Sequence, residues 1–179
     1  MNFNGKRLIA TLVPLLAWLA GALPAALAQE MPPEQLVRAA MVFNFLKFTE
    51  FPVDVGASLG KLRLCYAVRD TRQVEALIAL GGRKVGGREL QVVDFAAREG
   101  DCQVYYVDSR QRWRQEADNP ALRRALTISA FRNFVGDGGM IEIATRDEGI
   151  QFDIDLDVAR RAGFRFSPYL LRLKREIHD

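Results

Sequence analysis

Two short stretches decide the fold: LRLCYAV at residues 62–68 and CQVYYV at residues 102–107. Each is mostly apolar and bounded by turn-forming residues, which is typical of a β-strand buried in a sheet. Between them, apolar residues at helical spacing over 71–80 predict a helix that ends at Gly81-Gly82, and LQVVDF at 90–95 predicts another strand. Strands that alternate with helices indicate an α/β domain.

The rest of the chain extends this pattern. Two alternating segments, 140–144 and 150–156, are joined by the turn residues RDEG and predict a β-hairpin. A final helix over 169–177 is predicted after Ser167-Pro168, a capping residue followed by a helix-starting proline. The other predicted elements are helices over 34–50, 111–126 (broken at Asn119-Pro120) and 158–162, and a strand over 126–129. We therefore predict a single α/β domain: a mixed β-sheet flanked by helices, with a β-hairpin in the C-terminal third and a final helix.

Residues 1–28 have the composition of a secretory signal peptide. Two basic residues precede an apolar run over 8–23, and the segment ends in ALA at 26–28, which is a small-x-small cleavage site. A retained membrane anchor is the alternative, but the run is short for a bilayer-spanning helix of about 20 residues. We expect cleavage after Ala28 and a mature, exported domain over 29–179.

The predicted cleavage changes the charge of the protein. The whole chain carries 25 Lys and Arg against 22 Asp and Glu, a net charge of +3. Two of the cations and none of the acids lie in 1–28, so the mature part keeps 23 cations and a net charge of +1. No basic block in it is longer than two residues, as at Arg123-Arg124 and Arg160-Arg161, which argues against a dedicated nucleic-acid groove.

Cys65 and Cys102 are the only cysteines, an even number in a chain predicted to reach an oxidising compartment. We predict a disulfide between them, which requires Cα atoms about 5.5 Å apart and so brings the two strands together. Closing this loop would stabilise the fold by about 4 kcal/mol on the chain-entropy model. The bond is either a structural crosslink or a redox-sensitive one, and the residues leave both interpretations open.

Histidine and serine chemistry is not expected. His178 is the only histidine and stands one residue from the end of the sequence, where chains tend to fray. Ser-His and Cys-His pairs on a rigid scaffold are therefore not predicted. Ser109 or Ser167 as a nucleophile would lack a base.

Two further motifs have simpler interpretations than a ligand site. Asp153, Asp155 and Asp157 would share one face of a strand, but a calcium loop needs a turn with glycine, so a solvated outer face is favoured. The run GDGG at 136–139 precedes a strand and lacks the Lys-Ser/Thr of a phosphate-binding loop, which favours a turn. We predict a protein that is not an enzyme and that holds no metal or cofactor.

The predicted first helix, over 34–50, has apolar residues on more than one side. Four apolar residues are assigned to one side at 100° per residue: Leu36, Ala39, Phe43 and Leu46. Val42 and Phe45 are assigned to roughly the opposite side, with Arg38 and Thr49. Either the helix is buried on two faces, between the sheet and the C-terminal helix, or one face is reserved for a partner. In the second case Val42 and Phe45 are the candidate partner-binding residues, and a homodimer through this helix is a further expectation.

Taken in order, several segments of the mature chain resemble the YfiR family of periplasmic proteins. The segments are AAMVFNFLKFTEFP at 39–52, the strand cysteine Cys65, VxGRxLxV at 85–92, Cys102 at the start of its strand, LTIS at 126–129, GGMI at 138–141, FxIDL at 152–156, ARRAG at 159–163 and LLxL at 170–173. They extend over nearly the whole mature chain. The resemblance also supports the disulfide between the two cysteines.

This resemblance implies a small periplasmic α/β protein without catalysis. The best-understood members of the family bind the periplasmic part of a membrane-bound diguanylate cyclase and repress it. They release it under redox or envelope stress, which connects periplasmic conditions to cyclic-di-GMP, biofilm formation and motility. We therefore expect a non-enzymatic periplasmic regulator of such a signalling protein.

The alternative function is a periplasmic small-molecule binding module. Its candidate site residues are aromatic and basic: Phe43, Phe45, Phe48, Tyr105, Tyr106, Arg172, Lys174 and Arg175. Most of them are expected in the core or on a solvated helix face. A hydrolase that uses Ser167 ranks third.

Overall fold

The computed structural model describes residues 33–52, 60–146 and 149–176, with side chains up to residue 173. The helices are α1 (Glu34–Lys47), α2 (Thr71–Ile78), α3 (Arg110–Glu116), α4 (Leu156–Arg161) and α5 (Pro168–Glu176), with a 3-10 turn at Pro120–Leu122. The strands are β1 (Thr49–Glu50), β2 (Lys61–Ala67), β3 (Lys84–Val85), β4 (Arg88–Asp94), β5 (Val104–Val107), β6 (Leu126–Ser129), β7 (Ile141–Arg146), β8 (Gly149–Ile154) and β9 (Arg165–Phe166).

Seven strands form one mixed sheet in the order β3-β4-β2-β5-β6-β7-β8. The five inner strands are parallel to one another, and the two edge strands, β3 and β8, are antiparallel to their neighbours. Strands β7 and β8 are the predicted hairpin. The prediction of an α/β domain with a mixed sheet, a hairpin and a final helix is confirmed.

The parallel direction of the inner strands gives the sheet two different ends, one where the strands finish and one where they begin. The chain leaves β2 through α2 to reach β4, and then crosses to β5 on the other side of β2. Because the inner strands are parallel, all of their carboxyl ends meet at one edge, called the carboxyl edge below, and their amino ends meet at the opposite one, the amino edge. Ligands of open α/β sheets bind outside the carboxyl ends of the strands.

The sheet is covered on both faces, because alternate residues of its inner strands are buried on opposite sides. In β5, Val104 and Tyr106 belong to the larger core, together with α1, α2, α4 and α5. Tyr105 and Val107 belong to a smaller core, which includes Trp113 of α3. The larger core extends without a break from the sheet to all of the helices on that face. Most of the apolar burial that stabilises the domain therefore lies there.

The disulfide lies in the smaller core. Cys65 of β2 and Cys102, just before β5, are bonded, with their Cα atoms 5.8 Å apart and both side chains buried. The bond connects neighbouring parallel strands that pair from Leu64 with Val104 onward. It is therefore placed to crosslink the centre of the sheet on the face that α3 covers.

The first helix is shorter than the sequence predicts. It ends at Lys47, and Thr49 enters a two-stranded ribbon in which it pairs with Phe166. The Thr49 hydroxyl donates to the carbonyl oxygen of Phe45 at 2.6 Å, which satisfies a carbonyl group of the last helical turn. The partner strand lies more than a hundred residues away, so local periodicity contains no signal for this ending.

The second strand of the hairpin, β8, also ends before the residue that the sequence predicts. It ends at Ile154, because Asp155 caps α4 and accepts hydrogen bonds from the amides of Asp157 and Val158 at 3.0 and 2.9 Å. The prediction that Asp153, Asp155 and Asp157 share a strand face is therefore wrong, since two of the three belong to a helix start. An aspartate before a helix is a favoured cap.

Candidate partner-binding surface

The two residues predicted to contact a partner are buried. Val42 is 0% exposed and Phe45 is 2% exposed, and the Phe45 ring packs against Phe152 with centroids 5.1 Å apart. Side chains with this burial offer no area to a second protein. The interpretation of Val42 and Phe45 as a partner face is therefore corrected: both belong to the larger core.

The correction has a geometric reason. At 100° per residue, Val42 lies between Phe45 and Leu46, and these residues together with Ala39 form one stripe roughly 120° wide. All four of them are buried. The sequence interpretation divided this stripe into two sides and so placed half of the core on the surface.

The open side of α1 is a different stripe, formed by Leu36, Ala40, Phe43 and Lys47. These residues are three or four positions apart and so follow one line along the helix. Leu36 is 50% exposed, Ala40 and Lys47 are exposed, and Phe43 is half-buried. The spacing of these residues is visible in the sequence. Because α1 has apolar residues on both sides, however, the sequence alone does not indicate which side packs against the sheet.

Half-buried aromatic rings continue this stripe at the end of α1. Phe48 lies 5.1 Å from Tyr169, measured between ring centroids, and Tyr169 is 49% exposed. Phe51 packs edge-on against the buried Phe164 at 5.7 Å. We call Phe43, Phe48, Phe51 and Tyr169 the aromatic surface.

Three cations lie over these rings. Lys47 Nζ is 6.0 Å from the centroid of Phe43 and 5.9 Å from that of Phe48. The guanidinium groups of Arg83 and Arg88, in the β3–β4 hairpin, lie 5.1 Å from Phe43 and 5.0 Å from Phe51. Burial lowers the pKa of the Arg88 guanidinium, as expected for a cation that is partly removed from water. Cations within about 6 Å of an aromatic face are attracted to it.

The β1–β9 ribbon holds the aromatic surface in place. The amide of Ser167 donates to the carbonyl oxygen of Phe48 at 2.9 Å, and the Ser167 hydroxyl accepts from the amide of Leu170 at 3.3 Å, which caps α5. One serine thus ties the chain after α1 to the start of α5. This arrangement brings Phe48 and Tyr169 together, although they are far apart in sequence.

Comparison with known protein families is consistent with this architecture. The family model described as YfiR/HmsC-like matches residues 35–175, which is most of the chain. This chain belongs to the YfiR/HmsC-like family. No curated protein matches it.

Membership in the YfiR/HmsC-like family indicates a periplasmic regulator of cyclic-di-GMP signalling that acts on a partner signalling protein. The matched range contains the whole aromatic surface and both cysteines. Among the residues that the structure describes, no helix is long and apolar enough to cross a membrane.

The aromatic residues of the alternative ligand site do not meet in one pocket. Phe45, Tyr105 and Tyr106 are buried, with Tyr105 and Tyr106 on opposite faces of the sheet. Burial raises the pKa of both tyrosine phenols. Phe43 and Phe48 lie on the aromatic surface instead. Arg172 is exposed, and the side chains at 174 and 175 lie outside the described residues.

The serines that the sequence offered as nucleophiles cap helices. The hydroxyl oxygens of Ser109 and Ser167 accept hydrogen bonds from the amides of Arg112 and Leu170, at 3.4 and 3.3 Å. His178 lies outside the described residues. Within residues 33–52, 60–146 and 149–176, no group of three His, Cys, Asp or Glu side chains is close enough to hold a metal ion.

Proposed function

We propose that this protein binds the periplasmic part of a membrane-bound diguanylate cyclase through its aromatic surface and thereby represses the cyclase. The observation that carries this proposal is the set of half-buried rings at the end of α1, with cations over three of them. The family match supports the type of partner, and the open stripe of α1 supports the location.

The chemistry of the surface indicates what the partner contributes. Aromatic and arginine side chains are enriched in protein interfaces and dominate their binding energy where the partner removes them from water. Lys47, Arg83 and Arg88 add positive charge around the rings. A complementary partner would insert apolar side chains between Phe43 and Tyr169 and would place acidic groups against the cations.

Binding to a defined cyclase segment tests the proposal. The exported protein is titrated against purified periplasmic segments of membrane-bound diguanylate cyclases, with the dissociation constant as the readout. We expect Phe43→Ala and Tyr169→Ala each to weaken binding at least about tenfold, as substitutions at interface hot spots do. Cyclase activity in membranes should then escape repression in the same variants.

The structure offers a matched control. Phe131 is another partly buried ring with an arginine beside it, Arg110, whose guanidinium is 5.8 Å from its centroid. It packs in the smaller core, on the opposite face of the sheet. Phe131→Ala should leave the dissociation constant unchanged within about twofold. Equal losses in Phe131→Ala and Phe43→Ala, or no binding to any cyclase segment, would contradict the proposal.

Export and dimerisation belong to the same proposal. The expected signal peptide at 1–28 lies outside the described residues, and sequencing the amino terminus of the periplasmic protein would establish where the mature domain 29–179 begins.

A homodimer would use the open stripe of α1, so it would compete with the cyclase. Mass measurement of the exported protein, alone and with the cyclase segment, distinguishes these two states.

A further inference from the structure

A polar cleft opens at the carboxyl edge of the sheet, at the opposite end of α1 from the aromatic surface. It has a volume of about 640 Å³ and lies where β6 and β7 end. Three arginines from three different elements line it: Arg38 of α1, Arg132 of the loop after β6, and Arg146 at the end of β7. We call these three residues and the space between them the arginine cleft.

We propose that the arginine cleft binds a small anion that carries carboxylate or phosphate groups. Guanidinium groups recognise both kinds of oxyanion through paired N–H donors. Three guanidinium groups around one cleft carry more N–H donors than the hydrogen-bond acceptors in the described part of the protein occupy. The volume lies within the range of small-molecule sites.

Arg38 is held in place but retains an unused donor. Its Nη2 atom donates to Glu34 Oε1 at 2.5 Å, and the Thr145 hydroxyl donates to the same carboxylate oxygen. The Nε atom of Arg38 is buried and has no hydrogen-bond acceptor in the described part of the chain. A buried donor without an acceptor costs free energy, and an anion in the cleft would supply that acceptor.

Glu142 is the acidic residue of the cleft wall, and backbone amides already donate hydrogen bonds to its carboxylate oxygens. Its two carboxylate oxygens accept hydrogen bonds from the amides of Asn133 and Val135, at 3.0 and 3.3 Å. Glu142 is 7% exposed. It fixes the loop after β6, and with it Arg132, and it does not occupy the guanidinium groups.

The other two arginines are open to a ligand. The Arg132 side chain is exposed and has no ion-pair partner within the described ranges; its backbone carbonyl accepts from Arg110 at 2.9 Å. Arg146 makes a loose ion pair with Asp153 at 3.6 Å, and its side chain is 53% exposed. Exposed ion pairs of this kind contribute little, so a ligand can recruit Arg146 easily.

The position of the cleft supports a ligand rather than a second protein. It lies outside the carboxyl ends of β6 and β7, at the same edge of the sheet as the β2–β5 crevice, where the strand order reverses and open α/β sheets bind ligands. Arg38 and Phe43 are five positions apart on α1, which separates them by about 7.5 Å along the helix axis and by about 140° around it. The arginine cleft is thus separate from the aromatic surface, and anion binding goes beyond the regulatory function proposed above.

Calorimetric titration of the exported protein tests this inference. The probes are pyrophosphate and citrate, each at constant ionic strength and with chloride as the competing ion. We expect saturable one-to-one binding of at least one probe. Arg132→Gln should weaken it at least tenfold, and Arg146→Gln at least threefold. Whichever probe binds more tightly shows whether phosphate or carboxylate groups are preferred.

The control is Arg114→Gln, an exposed arginine of α3 that is not part of the cleft. It should leave the affinity unchanged within twofold. Arg132→Gln should also leave the melting temperature and cyclase binding unchanged, which separates this inference from the proposed function. The inference is overturned if neither probe binds more tightly than chloride, or if Arg114→Gln weakens binding as much as Arg132→Gln.

Discussion

Phe43 and Phe45 are two positions apart on α1 and lie in opposite environments. Phe45 is in the larger core against Phe152, whereas Phe43 is half-buried, with Lys47 and Arg83 over its ring. Phe45 thus contributes its whole ring to the core, whereas Phe43 packs only partly against it and, under the proposal above, is covered further by a partner. What distinguishes them is an offset of about 200° around one helix, and this comparison can be tested directly.

The largest expected effect is on stability. Phe45→Ala should lower the free energy of unfolding by about 3–5 kcal/mol, because it leaves a cavity in a close-packed core. Phe43→Ala should lower it by less, about 1–2 kcal/mol, because that ring packs only partly against the core and its removal leaves no enclosed cavity. Urea unfolding of both variants measures the difference. Similar losses in the two variants would show that Phe43 is also structural.

Loss of the disulfide should have the next largest effect, and this bond lies on the other face of the sheet from both phenylalanines. Replacing Cys65 and Cys102 by alanine should lower the free energy of unfolding by about 4 kcal/mol, as measured by urea unfolding. Because the bond is buried in the smaller core, cyclase binding by the folded variant should stay unchanged. This comparison decides between the structural crosslink and the redox-sensitive bond: a folded variant with altered binding would favour the second.

The elements with local signals could be predicted from the sequence. The hairpin and the Asn119-Pro120 break follow from residues within a few positions of each other, and the structure contains both. The β1–β9 ribbon could not be predicted in this way. It pairs Thr49 with Phe166, and two-residue strands have no periodicity of their own.

The candidate sites were harder to predict than the fold, because they also depend on contacts between residues that are far apart in the sequence. The side of α1 that is covered depends on where the sheet lies, and the sequence of the helix alone fits either side. The arginine cleft combines residues 38, 132 and 146, which no motif connects. Only the strand order brings the ends of β6 and β7 close to the start of α1.

A charge reversal on the aromatic surface should have an intermediate effect. Arg83→Glu removes one of the two cations over Phe43 and places a negative charge where an acidic partner is expected. We expect the association rate with the cyclase segment to fall about tenfold, and its dependence on salt to weaken. Arg114→Glu, which makes the same change on α3, should leave the rate within about twofold of the original. Equal slowing would indicate a general effect of net charge rather than the proposed surface.

The smallest expected effect concerns the inner side of α1, where Gln35 connects the first two helices. Its Nε2 donates to Asp70 Oδ2 at 3.1 Å, and Asp70 caps α2 by accepting from the amides of Arg72 and Gln73. The hydrogen bond from Gln35 is the main reason why the pKa of Asp70 lies below its ordinary value of 3.8.

A carboxyl group whose pKa is lowered by folding stabilises the protein above its unfolded-state pKa, and this contribution is lost as the pH falls through the folded-state pKa. The contribution of Asp70 should therefore be complete at neutral pH and disappear only below about pH 3.8. Gln35→Leu should raise the pKa of Asp70 toward 3.8, which NMR titration of the carboxyl carbon would measure. Gln73→Leu, which leaves the Gln73 amide in place, is the control and should preserve the lowered pKa. If Gln35→Leu also preserves it, the backbone cap rather than α1 stabilises the charge, and the inner side of α1 contributes only apolar packing.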